Sequence, residues 1–113
     1  MVLIDSVSYG EVKVDGKIYY SDVVVWWDGK VELVRKTHQF GINELLNMLR
    51  KKPEAVIVGI GVDRAVEILD EVPQEMEEKG LLFFVESAPN ALEVFNGLIS
   101  EGKKAVAYIH CTS

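Results

Sequence analysis

The chain has 113 residues, with 12 Lys and Arg against 18 Asp and Glu and a formal net charge of −6. That is one domain's worth of chain, 1–113, and at 49% hydrophobic and 27% charged residues a soluble globular domain is expected. The acidic balance repels phosphate backbones, so nucleic acid is not an expected partner. Cys111 is the only cysteine, which rules out an internal disulfide and suits a reducing compartment. Residues 1–5 carry no basic leader, and no apolar run approaches the roughly 20 residues that span a bilayer, so the expectation is a cytoplasmic protein without a membrane partner.

Residues 6–34 carry turn signals at short intervals. Val12-Lys13-Val14 alternates, Asp15-Gly16 turns and Ile18-Tyr19-Tyr20 returns. A two-residue Asp-Gly loop predicts a type I′ hairpin, with both central residues at positive φ. Residues 23–27 follow, Asp28-Gly29 turns again, and Val31-Glu32-Leu33-Val34 alternates back. The pattern predicts an antiparallel meander in which Val23-Val24-Val25-Trp26-Trp27 is covered on both faces.

The second half alternates helices and strands. Ile42, Leu45, Leu46 and Leu49 share one helical face, with Gly41 or Asn43 near the start and Pro53 beyond the end. The basic run Arg50-Lys51-Lys52 complements that helix's dipole. Ala55-Val56-Ile57-Val58 is a buried strand that stops at Gly59-Ile60-Gly61. Asp63 then opens a second helical spacing through Ala65, Leu69, Val72 and Met76, divided at Pro73 and capped by Gly80. Leu81-Leu82-Phe83-Phe84-Val85 is another apolar strand. Ser87 caps a helix bearing Ala91, Leu92, Phe95, Leu98 and Ile99, Gly102 closes it, and residues 105–109 form the last strand. Helical crossovers make strands 55–58, 81–85 and 105–109 parallel, so Gly59-Ile60-Gly61, Glu86-Ser87-Ala88 and His110-Cys111-Thr112 share one sheet edge.

That edge is where a ligand site is expected. Gly59 and Gly61 allow close backbone approach, but the spacing lacks the third glycine of a dinucleotide fingerprint and the Lys-Ser/Thr of a P-loop. Asp63 puts a carboxylate where a phosphate would sit. His110 closes a buried strand and reads either as acid, base or donor, or as a histidine that satisfies backbone groups. Arg35, with His38 nearby, reads as a carboxylate clamp or as a partner of surface acids. Asn96 interrupts an apolar helix stripe and either fixes a loop or touches ligand. Ser87 completes the rim. Cys111 has no readable base to activate it, and the two histidines and one cysteine show no metal-ligand spacing, so no metal or cofactor is expected. Of Trp26 and Trp27, alternation sends one to the core and leaves the other as a candidate protein-interaction residue.

Several of these pieces together resemble one family. They are Tyr9-Gly10, Tyr20-Ser21-Asp22-Val23, Arg35 with His38, Val56-Ile57-Val58-Gly59-Ile60-Gly61, and Gly80. In the tail they are Ser87-Ala88-Pro89-Asn90-Ala91, Phe95-Asn96-Gly97-Leu98, Gly102-Lys103-Lys104-Ala105-Val106-Ala107 and His110-Cys111-Thr112. The layout is similar to the small Mth-type domain of unknown function, with relatives associated with adipogenesis and with mitochondrial respiratory complex I assembly. The resemblance implies a three-layer α/β fold, with a mixed central sheet and a small antiparallel sheet, and it implies no reaction. The expected function is a non-enzymatic, protein-binding accessory or assembly factor. The alternative is a small-molecule binder or enzyme using Gly59, Gly61, Ser87, Asn96 and His110, with Arg35 holding an acidic group. An exposed strand edge also allows a homodimer.

Overall fold

A computed structural model describes residues 1–113. In chain order the elements are β1 (Ile4–Ser8), β2 (Glu11–Val14), β3 (Lys17–Tyr19), β4 (Asp22–Trp26), β5 (Val31–Val34) and β6 (Gln39–Phe40), then α1 (Ile42–Leu49), β7 (Ala55–Gly59) and β8 (Glu67–Ile68). The chain continues with α2 (Glu71–Lys79), β9 (Leu82–Glu86), α3 (Ala88–Ser100) and β10 (Ala105–Ile109). The fold is mixed α/β. A five-stranded sheet has the order β5-β4-β10-β7-β9, and a separate three-stranded sheet has the order β1-β2-β3.

The three strands expected to be parallel are parallel: β10 pairs with β7, and β7 with β9. The last strand of the chain takes the middle position, with β4 antiparallel on its other side. Every residue of β4, β7 and β10 is buried, which is why their sequences run apolar without alternation. Alternation sends Val23, Val25, Ile57, Ala107 and Ile109 to one face, under α3 and the small sheet. Val24, Trp26, Val58, Val106 and Tyr108 go to the other face, under α1 and α2.

The expected meander is split between two sheets. Asp15 and Gly16 have φ of 49° and 82°, so the β2–β3 hairpin carries the type I′ turn. β4 then leaves that sheet and pairs with β10 and β5 instead. On α1, Leu45 and Met48 are the buried positions, whereas Leu46 is exposed. Glu44 Oε1 accepts the Gly41 N–H at 2.7 Å and closes the helix start.

The helix expected from Asp63 does not form there. Val62 donates to the Thr112 carbonyl at 2.9 Å, and Asp63 and Ala65 donate to Ser113 O at 2.6 and 3.2 Å. Residues 62–65 therefore wrap the end of the chain, with Gly61 at φ 105° and Arg64 at φ 57°. The following residues pair β8 with β6 in parallel, and helix begins only at Glu71, which places Pro73 in its first turn. Gly80 is the left-handed cap that the sequence predicts.

Candidate functional site

The carboxyl ends of β7, β9 and β10 do share one rim. Ile60 N–H donates to Glu86 O at 2.8 Å, His110 N–H to Gly59 O at 3.0 Å, and Ala88 N–H to Gly61 O at 3.1 Å. Because β4 is antiparallel to β10, its first residue, Asp22, arrives at the same end. Asp22, Tyr108 and His110 all point to the α1/α2 face, by the same alternation that buries Val24 and Trp26.

There they build a buried hydrogen-bonded centre. His110 Nδ1 lies 2.8 Å from Asp22 Oδ2, and the Tyr108 hydroxyl donates to the same oxygen at 2.7 Å. The Cys111 N–H donates to Oδ1 at 3.1 Å. A carboxylate only accepts, so Nδ1 donates to Asp22, while Nε2 lies in hydrogen-bond contact with Thr112 Oγ1, 3.1 Å away. His38 packs edge-on against His110, with ring centroids 5.7 Å apart. Burial first, and the Asp22 carboxylate second, push the Tyr108 hydroxyl far above its ordinary range, which keeps it a donor. Burial and then Asp22 also push the Cys111 thiol up, which suppresses the thiolate a nucleophile would need.

Beside this centre lies a cavity of about 40 Å³ between β4, β5 and α1, lined among others by Arg35, Phe40, Met48 and Tyr108. Arg35 thus meets the surroundings of His110 through Tyr108. Asn96 does not. It lies on α3, across the sheet, where its side chain accepts the Ile4 N–H at 2.9 Å and donates to the Ile4 carbonyl at 2.8 Å. That pair holds β1 against the helix. A Cβ at Gly59 would stand 3.0 Å from the Ala91 Cβ, so this glycine lets α3 approach the sheet. At Gly61 a Cβ would stand 2.5 Å from Ser113 C, so the chain end occupies the space at that glycine. Ser87 is the first residue before α3, and its side chain makes no cap hydrogen bond.

Trp26 is the indole that faces the core, and it is fully buried. Arg50 and Lys51 lie over its ring at 5.1 and 4.9 Å while pairing with Glu32 and Asp28 at 3.5 and 3.0 Å. Two of the three cations of the basic run are thus occupied within the fold. Trp27 is half-buried at the end of β4 remote from Asp22.

Sequence reasoning gave no site role to Asp22, Tyr108 or the exposed side chains Tyr9, Tyr20 and Leu33, although Tyr9, Tyr20 and Asp22 lie in motifs that carry the family resemblance. A carboxylate leading straight into the all-apolar run Val23-Val24-Val25 is a signal for a buried, paired acid. Register places the other three near the same rim. Leu33 pairs with Val23, which pairs with Ile109, and the Gly10 N–H donates to the Cys111 carbonyl at 2.7 Å. Tyr20 stands two residues before Asp22.

Residues 4–110 match the sequence profile of a family described as protein of unknown function (DUF498/DUF598). The chain belongs to this family. Its Mth-type character is supported by solved structures. A protein named MT938 is 28% identical over 100% of both chains, with a TM-score of 0.83. A conserved hypothetical protein from Pyrococcus horikoshii OT3 is 26% identical, over 97% of this chain and 98% of that one, with a TM-score of 0.84. A Bordetella pertussis protein described as a Mth938-like domain shares the fold at 15% identity, over 98% of this chain and 87% of that one, with a TM-score of 0.65. No helix of this family member is long and apolar enough to cross a membrane.

Proposed function

We propose that the chain is a non-enzymatic, protein-binding accessory domain, and that its partner docks on the β5 side of the rim. The observation that carries this reading is the exposure of Tyr9, Tyr20 and Leu33, at 68%, 73% and 62%, toward one rim of the sheet, with Leu33 on the outer edge strand β5. Single exposed apolar residues are ordinary, whereas several on one rim beside an unpaired strand edge suit an extended segment of another chain. Main-chain pairing would supply affinity, and the aromatic side chains would supply anchors. An accessory or assembly role in the cytoplasm is the biological form of this reading.

A photo-crosslinking amino acid at position 33 tests it in cells, with the same probe at exposed Leu82 on the opposite edge strand as control. The expected result is a crosslink from position 33 to a discrete segment of another protein, abolished by Tyr20→Ser and absent from position 82. Crosslinks to a second copy of this chain would replace the reading with a homodimer. Indiscriminate crosslinks, or none, would overturn it.

A further inference from the structure

We infer that the cavity between β4, β5 and α1 binds a small monocarboxylate, with Arg35 taking the carboxylate and the apolar floor taking a two- or three-carbon tail. This goes beyond the partner-binding reading and uses the other face of β5. Val34 pairs with Asp22 and lines the cavity, while Leu33 faces away.

Position singles out Arg35. Like most basic side chains of this acidic chain it has no carboxylate within ion-pairing distance, unlike Arg50, Lys51 and Lys79, but it is the one cation that lines this cavity. It stands on the wall of a cavity whose other side chains include Val24, Val34, Phe40 and Met48. A planar guanidinium beside an apolar recess matches an anion carried on a hydrocarbon stem.

Size and selectivity follow from the remaining walls. A water needs roughly 10–15 Å³ by the same measure, so a cavity of about 40 Å³ takes about three water-sized groups. Tyr108 spends its hydroxyl on Asp22 and turns only its ring to the cavity. Glu44 also lines it, with Oε1 accepting the Gly41 N–H. Its carboxylate repels every negative charge in the cavity, so a ligand with one charge, offset by Arg35, is favoured over a dicarboxylate with two.

Backbone-amide NMR titration with propionate tests the inference, with propionamide and malonate as comparison probes and Arg35→Gln as the variant. Arg35 is exposed, so the variant keeps the fold, and its unchanged distant resonances verify this. The expected result is saturable shifts at residues 34–35, 40 and 44–48, with a Kd on the order of millimolar. Binding should weaken at least about tenfold for propionamide, for malonate and for propionate with Arg35→Gln. Absent or non-saturating shifts, shifts centred elsewhere, or equal affinity for the amide or for the variant would each overturn the inference.

Discussion

His110 Nδ1 and Asp22 Oδ2 meet at 2.8 Å with both side chains fully buried, across 88 residues of sequence. The contact ties the first residue of β4 to the residue just beyond β10, so it locks the antiparallel half of the central sheet to the parallel half. Removing one member of a buried, hydrogen-bonded pair strands the other. Asp22→Ala should destabilise the fold by about 3 kcal/mol or more, because the Tyr108 hydroxyl, the imidazole and the Cys111 amide all lose their acceptor. Asp22→Asn, which keeps one acceptor oxygen, should cost less. Urea unfolding of the two variants measures the difference, and equal small losses would show that the centre contributes little.

Tyr108 and Cys111 make stability fall at alkaline pH. Burial, assisted by Asp22, raises both above their ordinary values of 10.0 and 9.0. Above those values the unfolded chain has released protons that the folded chain still holds, so unfolding free energy drops as pH rises. The stabilisation is complete below about pH 9, starts to be lost as the thiol of the unfolded chain titrates, and is lost more steeply once its Tyr108 hydroxyl follows. Urea midpoints should stay level between about pH 7 and 8.5 and decline beyond 9. Tyr108→Phe should flatten the decline above about pH 10. An alkaline slope that is unchanged in this variant would remove Tyr108 from the account.

The parallel rim was legible because its signals are local. Apolar runs at 55–58 and 105–109 read as doubly covered strands, and the intervening helical spacing implied crossovers. What escaped was set by long-range partners. The spacing Ala65, Leu69, Val72 and Met76 is truly helical only from Glu71 onward, since the end of the chain supplies carbonyls to residues 62–65. β1 was not legible because Ile4-Asp5-Ser6-Val7-Ser8 pairs with β2 through a register shift and leans on a side chain 92 residues away. Trp26 and Trp27 could not be ordered from sequence, because the choice depends on which face α1 covers. Arg35 was legible as a possible clamp, but its cavity is assembled from β4, β5, α1 and β10.

Asn96 replaces, for one residue, a neighbouring strand. Its amide pairs with both the N–H and the carbonyl of Ile4, as a backbone ladder would. Asn96→Ala leaves both groups without a protein partner and should cost about 1–3 kcal/mol. The Ile4 amide should then exchange with solvent much faster than amides of β7. Hydrogen exchange followed by NMR resolves this, and unchanged protection at Ile4 would mean that pairing with β2 alone holds the strand.

Gly61 and Gly97 should respond to alanine with opposite signs. At Gly61 the added Cβ would meet backbone atoms of Ser113 at 2.5 and 2.7 Å and the His110 ring at 2.8 Å, at a φ of 105°. Backbone cannot rotate aside, so the chain end must leave the turn or the turn must move. Gly61→Ala should therefore cost about 2 kcal/mol or more and expose the Val62, Asp63 and Ala65 amides, whose acceptors are Thr112 and Ser113. At Gly97, inside α3, nothing lies within 4 Å of the added atom. Gly97→Ala should stabilise the fold by about 0.5–1 kcal/mol through helix propensity. Thermal unfolding of both variants reads the two signs. A neutral Gly61→Ala with intact protection at residues 62–65 would show that the chain end is only loosely seated on the turn.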